Sequence, residues 1–410
     1  MKVVLTDGSG LTSRQVASRL HQLGHTVGVL SSDPFGLSRF TRSVRHWHST
    51  PPFGSDPIEW LAAAMEIARR GRYDVLFPTQ EQVAVLSWAA ERGLLDGVPT
   101  VVPAFDALRA VQDKVASRAT LDRLGIPQPH GAVFADIAQL RCWDRFPAFV
   151  KTPIGTASTG VRRVESPAEL AAVSEELDAL GVFVTGAGGV VVQVAVPGPL
   201  AMIQAVFDRA RMVAFHVNLR VREGAGGGAS HKQSMHLAGA RTAIEQLGHS
   251  LSWHGAVSAD AIITADGFRI IDVNPRLVEP GNALRAGVDL VGAMLDIATG
   301  HDTDEPPVGQ DGVRTHQLLL ALLGAARDRG RRGVASELVS AIRHSGDYTA
   351  STEELTPITR DWRAAIPLVA AATSLVVSPA TWQRFAGTSV DNYAITPQGW
   401  ATLCGTATTT

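Results

Sequence analysis

Two aspartates and an asparagine near position 270 are the densest candidate for chemistry in this sequence of 410 residues. Residues 256–273 read as two strands around Ala265-Asp266-Gly267. A three-residue hairpin loop wants a left-handed residue at its end, and Gly267 supplies it. In that register Thr264 faces Phe268, Ile262 faces Ile270 and Asp260 faces Asp272. Asn274 follows on the same face, about 7 Å further along the strand. Two like charges opposed on a strand pair repel. A divalent cation with oxygen ligands offsets that repulsion, and a site with few protein ligands leaves room for water and phosphate, which suits magnesium. Arg276 lies two residues past Asn274, where a guanidinium would neutralise transferring oxygens, unless it only makes a surface salt bridge. A two-residue loop would instead send Asp260 and Asp272 to opposite faces.

Lysine is scarce. Only Lys2, Lys114, Lys151 and Lys232 interrupt an otherwise arginine-only set of 37 basic residues, so a persisting lysine can mark a need for a compact ammonium. Lys151 ends a short strand at 149–152, and a loop of small residues follows, from Gly155 through Ser158 to Gly160. With nothing bulky protruding, its backbone amides could approach phosphate oxygens, and the lysine before it would reach the same oxygens as a point charge. An ordinary hairpin turn is the alternative. No G-K-[ST] follows, so it is not a Walker A loop. A second glycine-rich run, 224–228, is flanked by Arg220, Arg222 and Lys232. It reads as a mobile lid over a carboxylate substrate, with Arg220 or Arg222 holding the acid, or as a plain surface loop.

The elements that must position these residues fall into two kinds. Residues 1–110 alternate strands (2–6, 25–30, 74–77) with helical patterns (12–23, 57–70, 80–92), which implies a parallel sheet with helices on its faces. Ligands of such sheets sit past the strand C-termini, here Gly8–Gly10, Ser31–Asp33 and Pro78–Glu81. Gly8-Ser9-Gly10 with Asp33 admits a dinucleotide reading, but Ser13 stands where the third glycine of G-x-G-x-x-G belongs. Residues 104–124 look helical. From 149 short strands alternate with the glycine-rich loops in α+β fashion, and 310–410 is mostly helical. The net charge of −2 gives no pull toward nucleic acid, and 45% hydrophobic against 19% charged residues excludes disorder. Cys142 and Cys404 form neither a disulfide framework nor a zinc site. The longest apolar stretch, 364–377, is too short for a bilayer, and the N-terminus reads as strand and turn, so a cytoplasmic protein with no membrane partner is expected.

Taken in order, Val111-Gln112-Asp113-Lys114, Leu124-Gly125-Ile126-Pro127, Phe146-Pro147-Ala148-Phe149-Val150-Lys151 with its loop, Val191-Val192-Gln193 before Pro197-Gly198, and Asp272-Val273-Asn274-Pro275-Arg276 resemble the ATP-grasp superfamily. The likeness is closest to its carboxylate–amine ligase and carbamoyl-phosphate-synthase-like branches and runs over about residues 1–300. It implies a mixed α/β and α+β chain: a Rossmann-like domain at 1–110, a central subdomain with the phosphate loop at 111–190, a C-terminal grasp subdomain with the metal site at 191–305, and a mostly helical extension at 306–410. It also implies that Lys114, Lys151 and Gly155–Gly160 contact ATP phosphates, that Gln193, Val194, Ala195 and Val196 form the adenine hinge, and that Asp260, Asp272 and Asn274 hold magnesium, or manganese in its place. Arg276 matches the arginine near the transferred phosphate. Three positions depart from the pattern: Gln193 replaces a usual Glu, Pro199-Leu200 stand where a ribose-side acid is common, and Asp260 is shorter than the usual Glu or Gln.

The activity so implied is an ATP-dependent ligase that joins a small carboxylic acid or amino acid to an amine. Two magnesium ions bridge the phosphates, a carboxylate attacks the γ-phosphoryl group, and an amine displaces phosphate from the acyl phosphate. Arg276, Arg220, Arg222 and Lys232 are the candidate catalytic residues. The rivals are an ATP-binding regulatory module without turnover and an NAD(P)-dependent oxidoreductase. The last hundred residues either complete the active site or form a homodimer interface.

Overall fold

The computed structural model describes the chain except residues 157–158, 184–188, 303–304, 356 and 406–410, and the side chains of 386–389. Four parallel strands, β1 (Lys2–Leu5), β2 (Thr26–Ser31), β3 (Val44–Ser49) and β4 (Val75–Phe77), form the first sheet in the order β3-β2-β1-β4. Their apolar runs are buried because helices cover both faces. The helix Pro57–Gly71 starts where Asp56 accepts the Glu59 amide and Pro57 occupies the first turn. β3 escapes the sequence reading because it is a half-exposed edge strand carrying Arg45, His46 and His48.

A small antiparallel sheet follows: β5 (Gly131–Phe134), β6 (Ala148–Lys151), β7 (Val161–Val164) and β8 (Val190–Val194), in the order β5-β8-β6-β7. β8 therefore pairs with the central elements, beyond the boundary expected at 190. The helical stretch read over 104–124 is two helices, Phe105–Gln112 and Lys114–Arg123. Asp113 breaks it by leaving helical geometry and accepting the amides of Val115 and Ala116 at 2.7 and 3.1 Å.

The large sheet has seven strands: β9 (Leu200–Asp208), β10 (Arg211–Glu223), β11 (Ala229–Ser234), β12 (Gly255–Thr264), β13 (Gly267–Asn274), β14 (Arg314–His316) and β15 (Ser351–Glu353). The order is β13-β12-β9-β10-β11-β14-β15. Side chains alternate between its faces. Ala201, Ile203, Ala205, Val217, Val257, Ala259 and Val273 form an apolar underside against Ile244 and Leu247 of the helix Ala240–Ser250. The opposite face is polar, and register sets it in rows. Asp272, Asp260, Met202, Asn218 and Ser234 align across five strands, and Asn274, Ser258, Gln204 and His216 form the next row.

The region after 305 is more than a helical cap, since β14 and β15 extend the large sheet. The helix Leu318–Ile342 breaks at Gly330, whose φ of 59° suits glycine, and packs through Leu322, Leu323 and Val334 on Ala225 and Leu375. The last helix, Pro397–Cys404, returns to the first domain and places Trp400 and Leu403, with Ile395 just before it, in the core with Phe53, Trp60 and Phe105. No helix among the described residues is long and apolar enough to cross a membrane. Trp400→Ala leaves a cavity in that shared core and should cost about 3–5 kcal/mol of stability, read as a lower urea midpoint; an unchanged midpoint would mean the last helix does not hold the first domain.

Candidate functional site

The hairpin β12–β13 is not the one the sequence suggested. Its loop has two residues, with Thr264 opposite Gly267, Ile263 opposite Phe268 and Ile262 opposite Arg269. Continued unbroken, that register would set Asp260 against Ile271. A bulge at Ile271 absorbs one residue, and Asp260 faces Asp272 after all, with Ser258 opposite Asn274. The expected pairs Thr264–Phe268 and Ile262–Ile270 are thus replaced, while the carboxylate pair is restored.

The bulge has a second consequence. It leaves the Ile271 carbonyl outside the strand ladder, and Lys151 Nζ donates to it at 2.6 Å. Lys151 ends β6 and is buried, 8% exposed. Burial lowers its ammonium pKa to about 8, opposed by the charge of Asp272. Lys114, placed by the Asp113 cap at the first turn of its helix, donates to the Gly155 carbonyl at 2.8 Å and stands 3.8 Å from Asp272 Oδ1. Burial, with the charge of Asp272, raises the Asp260 carboxyl to about 7, and Arg220, Arg276 and Lys151 pull it back. The small sheet and the large sheet thus meet as cations against carboxylates.

The phosphate-loop candidate turns tightly. Gly160 has φ +76°, and a Cβ there would stand 2.1 Å from Thr152 Oγ1, so glycine is needed. The Thr156 hydroxyl bonds Glu81 of the first domain, and the Thr159 hydroxyl accepts the Thr156 amide at 2.9 Å. Ser158 lies outside the described residues. Gln193 in β8 is buried, and its Oε1 has no partner among the described residues. The Val194 and Ala195 amides are engaged by His130 and Pro147 carbonyls, and Val196 lies past the end of the strand. Lys114, Arg118, Lys151, Gln193 and Asp272 line one narrow cleft of about 20 Å³, so a nucleotide has to part the two sheets to enter. A larger cavity, about 650 Å³, opens between the helix Leu11–Gln22 and residues 280–291 and 354–361, and none of the nucleotide-contact candidates lines it.

For the second glycine-rich run, the expectations of a mobile lid, of Arg222 as a holder of the acid and of a catalytic Lys232 need correction. The run is not a free lid: Ala225 is buried, the Gly224 amide donates to the Gly228 carbonyl at 2.7 Å, and Gly224 lies against Leu320 and Gly324. Arg220 and Arg222 do not share a face, because a bulge at Val221 sets Arg220 opposite Lys232 but Arg222 opposite His231. Arg222 is taken by Glu337 and by Asp347 at 3.1 Å, which removes it from the substrate side. Lys232 is 1% exposed and held by Glu279 at 2.5 Å and Glu354 at 2.8 Å, so it is a buried partner of two acids rather than a free catalytic ammonium. Arg220 stays on the side of Asp260, donating to the Gly227 carbonyl at 2.8 Å and paired with Glu223 at 3.3 Å.

Sequence reasoning missed the sheet floor beside the carboxylates. Gln204 and Asn218 are fully buried there, and neither side-chain amide has a hydrogen-bond partner among the described residues. Their signal was present as single polar residues at alternating positions of apolar strands. Glu279 was also missed; it holds φ +47°, with its amide on Thr12 Oγ1 at 3.1 Å. At the N-terminal turn, Asp7 accepts the Ser9 and Gly10 amides at 3.0 and 3.1 Å and the Ser13 hydroxyl at 2.9 Å. The amides of this turn that a dinucleotide pyrophosphate would need are thus already taken by a carboxylate.

No protein-family model matches the sequence, and no curated protein matches it. Solved structures do match. The biotin carboxylase domain dimer of the 2-oxoglutarate carboxylase of Hydrogenobacter thermophilus, in complex with MgADP, ADP and bicarbonate, is similar over 76% of this chain and 73% of its own, with a TM-score of 0.60 at 16% identity. The biotin carboxylase–β,γ-ATP complex of Campylobacter jejuni is similar over 76% and 74%, with a TM-score of 0.62 at 15% identity. These are ATP-grasp structures. The chain has the ATP-grasp fold. The N5-carboxyaminoimidazole synthetase of Staphylococcus aureus shares it over 84% of this chain and 86% of its own, with a TM-score of 0.60 at 13% identity.

The facing carboxylates make a stability prediction. A carboxyl raised from 3.8 to about 7 destabilises the folded protein progressively as pH rises between those values. Asp260→Asn should therefore stabilise the metal-free protein at pH 8, by on the order of 2–4 kcal/mol, and less at pH 5. Thermal unfolding at both pH values reads this, and no gain at pH 8 would mean the acids do not repel.

Proposed function

We propose that this protein is an ATP-dependent ligase that joins a small carboxylic acid or amino acid to an amine, with ADP and phosphate as co-products. The observation that carries the reading is the convergence of Lys114 and Lys151 from the smaller elements on Asp272 and the bulged Ile271 of the large sheet. Such an arrangement suits a polyphosphate: ammonium groups on one side, and on the other acids that need a cation. The ADP- and ATP-bound neighbours support it.

Magnesium would be held by Asp260, Asp272 and Asn274 and would supply neutralisation of phosphate charge there. The donor set fits, being all oxygen and short of a full shell, with water and phosphate left to complete it. Lys114 and Lys151 bind phosphate oxygens, and Gln193 Oε1, without a partner among the described residues, accepts from adenine. The substrate carboxylate oxygen attacks the γ-phosphorus as the bond to the ADP oxygen breaks, and Arg276 takes up the charge that spreads over the phosphoryl oxygens. The resulting acyl phosphate is attacked by the amine nitrogen. Its carbon–oxygen bond to phosphate breaks, phosphate leaves with the electron pair, and the amine proton goes to solvent. Arg220, beside Asp260, would hold the acid on exchanging Glu223 and the Gly227 carbonyl for it. The dinucleotide reading gains nothing from the first turn, whose amides serve Asp7.

Lys151→Ala and Asp272→Ala should each lower Mg-ATP-dependent ADP formation by more than about 100-fold, measured with amino acids as acids and amines. Near-normal turnover in both variants would refute the site.

A further inference from the structure

We propose that Tyr393 closes the acceptor side of this active site and selects a small amine that carries its own carboxylate. The inference rests on the ligase reading above and deepens it.

In a parallel sheet of order β3-β2-β1-β4 the crevice at the strand C-termini opens between the loops after β1 and β4. Residues 392–396 are fastened to the segments that follow β2, β3 and β4. The Ile395 amide donates to Glu81 Oε2 at 2.8 Å, the Thr396 amide to the Gly54 carbonyl at 3.0 Å, and the Ser32 hydroxyl meets Asn392 Oδ1 at 3.2 Å. This fastening brings Tyr393 over the crevice. A Cβ on Gly10, in the loop after β1, would stand 3.6 Å from the edge of the Tyr393 ring and 2.7 Å from Gln80 Nε2, from the loop after β4. Tyr393 and Gln80 thus flank the bare backbone of Gly10.

Arg276, Glu81, Asp7 and Glu279 are the charges close enough to act on the Tyr393 hydroxyl. Burial raises its ionisation well above the usual phenol range, so it stays a neutral donor. Two buried polar atoms nearby have no partner among the described residues: Gln80 Oε1, on a side chain 3% exposed, and Arg276 Nε, on one 9% exposed. Buried polar atoms are normally satisfied. Of the surrounding acids, Asp7 is used by its own turn, Glu81 by Thr156 and Ile395, and Glu279 by Lys232. An amino acid acting as nucleophile completes the set. Its amine donates to Gln80 Oε1 beside the acyl phosphate, and its carboxylate accepts from the Tyr393 hydroxyl.

The test compares the full-length enzyme with Tyr393→Phe and Tyr393→Ala. ADP formation is measured with L-amino acids as acids, and with glycine, L-alanine, L-phenylalanine and their amides as amines. Tyr393→Phe should raise the amine KM about 10-fold or more, with KM for ATP and the melting temperature unchanged, and should erase the preference for free amino acids over their amides. Tyr393→Ala should also shift preference toward L-phenylalanine. If both variants keep the wild-type amine KM and ranking within about twofold, well below the factor one charged hydrogen bond carries, the assignment of Tyr393 is overturned while the ligase reading stands. Wild-type protein that makes no ADP with any of these pairs would overturn the ligase reading and this assignment with it.

Discussion

Two carboxylates held face to face on neighbouring strands are the constraint around which this molecule is arranged. Asp260 sits where burial and the charge of Asp272 both oppose its ionisation, and neighbouring positive charge offsets them. Lys151, Lys114, Arg276 and Arg220 come from four different places in the chain to supply it. Bringing them together requires the small sheet to lean on the large one. The contact that joins them, Lys151 to the Ile271 carbonyl, exists because the bulge frees that carbonyl.

The two faces of the large sheet divide the work. The underside is an ordinary apolar interface with the helix Ala240–Ser250. The upper face carries amides, hydroxyls and charges in register, including Gln204 and Asn218, whose side-chain amides have no partner among the described residues. A single slip in strand register would exchange the two faces. The extension beyond 305 widens this sheet, buries Lys232 between Glu279 and Glu354, and returns to the first domain with Trp400. It is therefore integral to the fold and reaches the crevice at Tyr393.

Much of this was legible from residue types, and the failures have identifiable causes. The parallel first sheet follows from apolar runs separated by helical periodicity. Its edge strand β3 does not, because polar residues on a half-exposed edge carry no alternation signal. The Asp260–Asp272 pairing was read correctly from a wrong loop length; the two-residue turn and the Ile271 bulge cancel, and hydrophobic patterning does not distinguish the two arrangements. A second bulge, at Val221, had the opposite effect and separated Arg220 from Arg222. Four glycines within 224–228 suggested mobility, yet small residues also permit close packing, and here they lie against the helix Leu318–Ile342. The partners of Lys232, Glu279 and Glu354, are 47 and 122 residues away, beyond any local pattern.

The most direct test is a crystal structure of the full chain grown with magnesium and a non-hydrolysable ATP analogue. The account predicts a metal bound by both Asp260 and Asp272 at about 2.0–2.1 Å, phosphate oxygens on Lys114 and Lys151, and adenine beside Gln193. Nucleotide bound instead at the Gly8–Gly10 turn, or a cleft holding nucleotide with the two aspartates turned away from any metal, would contradict it.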